Sequence, residues 1–188
     1  MDEVNQPSNA HEIDDATLVD RLRAGDMQAL GPLYARYGGA VRSLLVRTEP
    51  ALGRSGAEDL GQEVFLTFLD TLERYQHEGR LRSWLYGIAV RKARGWRRRG
   101  WVRWALGRQH GEQAAGVSLH RDRTEERIEA RRRVDQALAS LPTGLREVIV
   151  LRRVEGLSAR ETARVLGISE NAVNIRAHRA LERLGEKS

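Results

Sequence analysis

The segment from Gly156 to Arg179 constrains this chain more than any other part of its 188 residues. Ser158 followed three residues later by Glu161 is a capping box, in which hydroxyl and carboxylate satisfy backbone N–H groups at a helix start. Gly167 ends the short apolar run that follows, because glycine adopts the left-handed C-terminal conformation without steric cost. Ser169 can cap a second helix immediately afterwards. The pattern predicts two helices across a very tight turn, which is typical of a helix-turn-helix.

The second predicted helix has two different faces. At helical spacing its apolar side carries Val173, Ala177, Ala180, Leu181 and Leu184. Its other side carries Asn171, Asn174, Ile175, His178 and Arg179. Asparagine and arginine suit bidentate hydrogen bonds with base edges, and an exposed isoleucine suits a thymine methyl group. We therefore predict that this face reads DNA in a major groove, and a plain helical hairpin with a solvated polar face is the alternative.

Charge and composition narrow the function classes. The net charge of +6 and the isoelectric point near 10.4 favour a polyanionic partner. Cysteine is absent, which excludes disulfides and thiolate metal sites within the chain and suits a reducing compartment. No apolar run approaches the roughly 20 residues of a membrane span, and the acidic, polar first residues lack the apolar core of a signal peptide. We expect a soluble, cytoplasmic protein.

Apolar residues recur at three- and four-residue steps along most of the chain, which predicts an all-α fold. We expect an acidic flexible tail over residues 1–16 and a helical bundle over 17–99. A flexible linker rich in Gly, Gln and Arg is expected over 100–125, and a second small helical domain over 126–188. Pro32 fits a helix only within its first turn, and Pro142 should separate two helices of the second domain.

The predicted helix from Gly56 to about Arg74 is apolar on one face and acidic on the other. Ser55 and Glu58 have the spacing of a second capping box. The acidic face consists of Asp59, Gln62, Glu63, Asp70 and Glu73, with the apolar Leu66 among them. Because an acidic face is a poor surface for DNA, we expect it to bind protein, and an ordinary solvated face is the alternative.

A strongly basic run follows. Ser83 can cap a helix on which Arg91, Arg94 and Arg98 share one face, and no acidic residue occurs from position 91 to position 108. Three tryptophans are interleaved with these cations, at positions 96, 101 and 104. Cations for phosphates beside flat rings for bases are typical of proteins that bind single-stranded or distorted nucleic acid. A non-specific polyanion-binding tail is the alternative.

Four segments, in order, resemble the sigma-70 family of bacterial RNA polymerase initiation factors, and specifically its small extracytoplasmic-function group. They are Leu18-Val-Asp-Arg-Leu-Arg-Ala-Gly-Asp26, Ala57-Glu-Asp-Leu-Gly-Gln-Glu-Val-Phe65, Ser83-Trp-Leu-Tyr-Gly-Ile-Ala89 and the stretch from Leu141-Pro to Glu182-Arg-Leu184. The resemblance covers about Thr17 to Arg99 and Arg131 to Leu184. The chain differs from the family at Arg91 and Gly95, where an Asn and an Asp are usual, and at Gly31-Pro32.

The resemblance implies a role for each face. The acidic helix would dock on the clamp coiled coil of the polymerase large subunit through Asp59, Gln62, Glu63 and Leu66. The following loop would capture a flipped base of the minus-ten element through Gln76, His77, Glu78, Gly79, Arg80 and Arg82. Arg91, Arg94 and Arg98 would hold the phosphates of that strand. The recognition helix would read the minus-thirty-five element, with Arg152, Arg153 and Arg160 as phosphate contacts.

The expected function is that of a promoter-specificity factor without catalysis, cofactor or metal of its own. Its expected partners are core RNA polymerase, promoter DNA and an anti-sigma factor, and the isolated chain is expected to bind promoter DNA poorly. A free-standing helix-turn-helix regulator, which would usually be a dimer, is one alternative. A DNA-cleaving enzyme with Glu58, Asp59 and Glu63 as metal ligands is another, but these residues lie along one exposed helix rather than in a pocket.

Overall fold

The computed structural model describes residues 13–76, 80–105 and 125–185. Most of the predicted acidic tail, loop residues 77–79 and most of the predicted linker lie outside these ranges. Within them the regular elements are helical and no strand occurs, as the periodicity predicted. In the same part of the chain, no helix combines the length and apolarity needed to cross a lipid bilayer.

Four helices form the first unit. Asp14 caps the first of them by accepting a hydrogen bond from the Thr17 N–H at 2.8 Å, and Asp26 caps the short turn that follows. Pro32 is the third residue of the second helix, inside the first turn, where its missing N–H costs nothing. The helices are α1 (Asp15–Arg23), α2 (Leu30–Thr48), α3 (Gly53–Asp70) and α4 (Leu81–Ala105).

The core of the first unit lies between α2, α3 and α4, which pack on one another. The apolar side predicted for α3 is buried throughout, with Val64 and Phe68 fully enclosed. Leu44 and Leu45 of α2 and Leu85 of α4 complete the same cluster. Burying these side chains contributes about 1.5–3 kcal/mol each, so the three helices depend on one another for stability.

Several helix boundaries differ from the prediction. The prediction of a capping box at Ser55 was wrong. The Pro50–Leu52 turn leads into a helix that begins at Gly53, so Ser55 lies inside that helix. Ser83 is not a cap either, since α4 begins at the buried Leu81. The same helix continues to Ala105, beyond the predicted end at residue 99, because arginine is a good helix former even in a sequence that looks like a linker.

The second unit also contains four helices. Pro142 separates its first two helices as predicted, and the second of these continues as a π-helical turn, Val150–Val154. Leu138, Leu141 and Val148 are buried, whereas Val134 on the same helix as Leu138 is 51% exposed. The helices are α5 (Glu125–Ala139), α6 (Thr143–Ile149), α7 (Ala159–Leu166) and α8 (Glu170–Gly185).

The two units pack against each other in this structure. Helix α7 lies on α4, and α5 and α6 lie against α2. Arg146 is almost completely buried at this contact, and its Nε donates to the carbonyl oxygen of Thr48 at 3.1 Å. This interface between the units was not part of the sequence prediction, which treated them as separate domains.

Candidate nucleic-acid and protein interfaces

Local hydrogen bonds build the predicted helix-turn-helix. The N–H of Glu161 donates to Ser158 Oγ at 3.1 Å, and Glu161 Oε2 accepts the Ser158 N–H at 2.8 Å, which completes the capping box. Gly167 has a φ of +68°, and its N–H bonds to the Ala163 carbonyl at 2.9 Å. Ser169 Oγ accepts the N–H of residue 172 at 3.2 Å and so starts α8. The motif is confirmed.

Helix α8 directs its predicted reading face outward. Val173 and Ala180 are fully buried against the unit, while Ile175 is 44% exposed. Leu181, which was expected on the apolar side, is 43% exposed, so this assignment was wrong. The exposed residues of the predicted reading face are Asn171, Asn174, Ile175, His178 and Arg179. The structure thus brings together a continuous polar face with one apolar contact on a helix of 16 residues.

The three predicted phosphate contacts near α7 differ from one another. Arg153 and Arg160 are exposed. Arg152 is half-buried, and its Nη1 donates to the Leu157 carbonyl at 2.7 Å. This bond holds the turn that precedes α7, so the side chain has a structural contact that the sequence did not indicate.

On α3, four side chains form an exposed strip: Asp59, Gln62, Glu63 and Leu66. Their spacing of three and four residues places them on one face of the helix. Leu66 is 60% exposed, the highest value among the exposed large apolar side chains of the described residues. Glu63 also accepts a hydrogen bond from Lys92 Nζ of α4 at 3.1 Å.

The alternative of a DNA-cleaving enzyme would require Glu58, Asp59 and Glu63 to act as metal ligands. Glu58 faces two arginines, with 3.9 Å to Arg42 Nη1 and 3.7 Å to Arg54 Nε. Among the described residues, no group of three His, Asp or Glu side chains is arranged to hold a metal ion.

Next to α4 there is a cleft of about 460 Å³. Gln76 and Arg80 of the preceding loop line it together with Trp84 and Arg91 of α4. The Trp84 ring packs edge-on against Tyr75 with ring centres 5.7 Å apart, and its buried indole N–H has no hydrogen-bond partner among the described residues. The cleft therefore brings an aromatic side chain, an amide and cations together in one place. His77, Glu78 and Gly79, predicted for the same loop, lie outside the described residues.

The basic face of α4 is only partly open. Arg91 and Arg98, which were predicted to hold phosphates, are exposed, and so is Arg82, which was predicted for base capture. Arg94 was placed on the same face, but its Nη2 and Nε bond both oxygens of Glu147 at 2.7 and 3.2 Å. These bonds raise the pKa of Arg94, with burial opposing them.

The sequence did not indicate that three further residues belong to this region. Arg164 and Val165 of α7 form part of the wall of the cleft next to α4, although they lie in the other unit. Tyr86 is fully buried, and its hydroxyl donates to a carboxylate oxygen of Glu155 in the second unit. Burial, followed by this hydrogen bond, raises the pKa of Tyr86.

Residues 33–102 match the family model for sigma-70 region 2, and residues 131–184 match the one for sigma-70 region 4. The matched segments contain the α3 strip and most of α4, and then the helix-turn-helix. They lie in the two units that the structure shows.

Relatives match over nearly the whole chain. The ECF RNA polymerase sigma factor ShbA of Streptomyces griseus is 35% identical, and the match covers 89% of this chain and 91% of ShbA. The ECF RNA polymerase sigma factor SigD of Mycobacterium tuberculosis is also 35% identical, over 92% of this chain and 82% of SigD. The agreement therefore includes both units and their order.

Solved structures agree as well. CnrH in complex with the cytosolic domain of CnrY superposes with a TM-score of 0.65 at 30% identity, covering 92% of this chain and 95% of CnrH. RpoE of Bartonella quintana, solved with the anti-sigma factor NepR, shares the fold with a TM-score of 0.69 at 20% identity. The match covers 85% of this chain and 96% of the RpoE chain. The chain belongs to the extracytoplasmic-function group of the sigma-70 family and is a promoter-specificity factor of RNA polymerase.

Proposed function

We propose that the exposed strip on α3 is the surface by which this sigma factor docks on core RNA polymerase. The observation that carries the proposal is Leu66, an apolar side chain that is 60% exposed and follows Gln62 and Glu63 on the same face of α3. An apolar contact surrounded by charged groups is the usual arrangement of a protein interface, in which charge selects the partner and apolar burial supplies affinity.

The cleft beside α4 fits capture of an unstacked minus-ten base. Extruding a base from the stack costs a few kcal/mol, which stacking on an aromatic ring and hydrogen bonding can offset. Trp84 contributes an aromatic side chain to the lining of this cleft, and Gln76 adds an amide. Arg91 and Arg98 are exposed further along α4, where they would hold the strand's phosphates.

Helix α8 fits the reading of the minus-thirty-five element as duplex DNA. Its exposed Asn174 and Arg179 can form bidentate contacts with bases, and Ile175 can contact a thymine methyl group. Arg153 and Arg160 are exposed nearby and would position the backbone without specifying sequence. Two modest DNA contacts joined through one chain then act together, because the first raises the effective concentration of the second.

The chain itself is proposed to perform no catalysis, since placement and melting of DNA require only binding energy. We place its action in the cytoplasm, where the transcription machinery acts on DNA. We also include an anti-sigma factor among its partners. Support comes from the solved relatives, since CnrH was determined with the cytosolic domain of a second protein and RpoE with an anti-sigma factor.

Docking through α3 is tested by co-purification with bacterial core RNA polymerase. The double substitution Asp59→Arg, Glu63→Arg reverses the charge of the strip at two exposed positions. Because exposed ion pairs contribute only about 0–1 kcal/mol, loss of the Glu63–Lys92 pair should leave the fold intact. We expect the wild type to bind the polymerase and the double variant to lose most of that binding.

The matched control is Asp20→Arg, Glu129→Arg, which makes the same charge change at exposed positions on α1 and α5. Circular dichroism should show all three proteins equally folded. If both double variants bind like the wild type, the docking surface lies elsewhere. Failure of the wild type itself to bind polymerase would instead favour a free helix-turn-helix regulator.

A further inference from the structure

Arg91 differs from Arg98, the other exposed arginine assigned to phosphates, in where it lies on α4. Trp84, Gly87 and Arg91 follow one another at three- and four-residue steps, so they share one face of the helix. All three line the cleft beside α4. Arg98, two turns further along, is not among the described residues of that lining. Arg91 is therefore placed where a captured base would lie, and Arg98 is not.

Gly87 lets the guanidinium of Arg91 rest against the helix. Long side chains on a helix lean toward its N-terminus, so Arg91 extends over Gly87 in the direction of Trp84. A Cβ atom at position 87 would lie 3.2 Å from Arg91 Nη1 and 3.9 Å from both its Cζ and its Nη2. The space that a side chain would take at this position is thus held by the guanidinium. It belongs to the same wall of the cleft as Trp84.

The charged side chains of this lining are hydrogen-bond donors. Arg74, Arg80 and Arg91 line the cleft from the first unit, and a guanidinium donates but cannot accept. Gln76 supplies an amide, which can do both. Among the described residues that line the cleft there is no carboxylate. The cleft therefore favours a base that presents acceptors over one that presents an amino group.

Guanine is the base that fits these groups best. Its O6 and N7 are neighbouring acceptors, and their bidentate pair with arginine is the commonest specific contact to a base. Adenine carries an amino group beside N7, which would face the donors of Arg91. Cytosine is read through its amino group by a carboxylate, which the described lining does not provide. Thymine offers a single acceptor on the same edge, with a methyl group next to it.

We propose that Arg91 reads the base captured in the cleft and selects guanine at that position of the minus-ten element. This inference rests on the proposed capture of a base in the cleft, and it gives Arg91 a base contact in place of a phosphate contact. The amide oxygen of Gln76 can accept from the N–H groups on the other edge of the guanine ring. Position 91 is one at which the chain differs from its family, so the preference belongs to this chain rather than to the family as a whole.

The test selects promoters from a library randomised in the minus-ten element, using core polymerase that carries the full chain or a variant. Arg91→Gln replaces the guanidinium by an amide, the group that pairs with adenine. Arg98→Gln removes the same charge from an exposed position outside the cleft and is the matched control. We expect the wild type and the control to enrich guanine about tenfold at one minus-ten position, and Arg91→Gln to lose that enrichment or transfer it to adenine. If Arg91→Gln selects the same bases as the wild type, or the wild type selects no guanine, the proposal is overturned.

A second variant keeps every charge. Gly87→Ala places a methyl group 3.2 Å from the present position of Arg91 Nη1, so the guanidinium must shift. Gly95→Ala is the control, because its methyl group would lie at an ordinary contact distance of 3.6 Å from Arg99 Nη1. Alanine favours a helix more than glycine does, so both variants should fold. We expect only Gly87→Ala to reduce the enrichment of guanine, and equal enrichment in both would contradict reading from this position.

Gln76→Ala separates this proposal from base capture itself. It removes the amide of the cleft and leaves Arg91 in place. If Gln76→Ala relaxes the selected minus-ten sequence while Arg91→Gln does not, the cleft holds a base and only the role of Arg91 fails. If polymerase carries both variants and neither changes any selected minus-ten base, base capture in the cleft fails together with the role of Arg91.

Discussion

Glu161 accepts hydrogen bonds from both the hydroxyl and the backbone N–H of Ser158, at 2.6 and 2.8 Å. These bonds, aided by the charges of Arg82 and Arg80, hold its pKa below the usual 4.5. A carboxylate whose pKa is lower in the folded than in the unfolded state stabilises the fold above the unfolded pKa. That stabilisation disappears as the pH falls through the folded value. A single capping residue therefore makes the helix-turn-helix sensitive to acid.

The corresponding prediction concerns Glu161→Gln. At about pH 7 the variant should be less stable than the wild type by about 1 kcal/mol, because it loses the charged member of the capping box. As the pH falls from 4.5 through the lower pKa of the folded state, Glu161 of the wild type becomes protonated and the difference should shrink. This stability difference is measured by thermal unfolding, monitored by circular dichroism at several pH values. Glu129→Gln, at an exposed position, is the control. A difference that does not change with pH would refute the assignment.

At the scale of a helix, the sequence predicted well where the signals are local. The caps at Ser158 and Ser169 and the left-handed Gly167 lie within a dozen residues, and their geometry was confirmed. The predicted helix starts were wrong where the start depends on a neighbouring element. The Pro50–Leu52 turn begins α3 before Ser55, and burial of Leu81 begins α4 before Ser83.

The reading face of α8 gives a prediction at the same scale. Asn174→Ala removes an amide able to pair with an adenine, which should cost about 1–3 kcal/mol at one base pair and relax the preference there. The measurement selects promoters from a randomised library with polymerase carrying wild type or variant. Arg183→Ala, exposed in the last turn of the same helix, is the control. Identical selected sequences for wild type and Asn174→Ala would remove this residue from base reading.

At the scale of the whole molecule, the contact between the units could not be predicted from sequence. Arg94 and Glu147 are 53 residues apart, and Tyr86 and Glu155 are 69 apart. No periodicity or cap links positions so distant, and the charge of Arg94 alone suggested a phosphate contact equal to that of Arg91. The sequence thus identified which face of α4 is basic, whereas packing determines which of its arginines are open in the free chain.

Arg146 is the residue on which this closed arrangement should depend most. It is 7% exposed, and besides Thr48 it donates to the Ala139 carbonyl at 3.0 Å and to Thr143 Oγ1 at 3.4 Å. Burial lowers its pKa, while the charge of Glu49 opposes that effect. Only a planar guanidinium can reach these acceptors together, so lysine should not replace it.

We therefore predict that Arg146→Lys opens the molecule. Leaving the buried Thr48 carbonyl without its donor costs about 1–3 kcal/mol, which is enough to shift a weak polar contact. A compact chain of this length has a radius of gyration of about 16 Å, and X-ray scattering should show a larger value for the variant than for the wild type. Arg133→Lys, whose side chain pairs within α5 at 2.8 Å, is the control. A variant that scatters like the wild type would show that other contacts hold the units together.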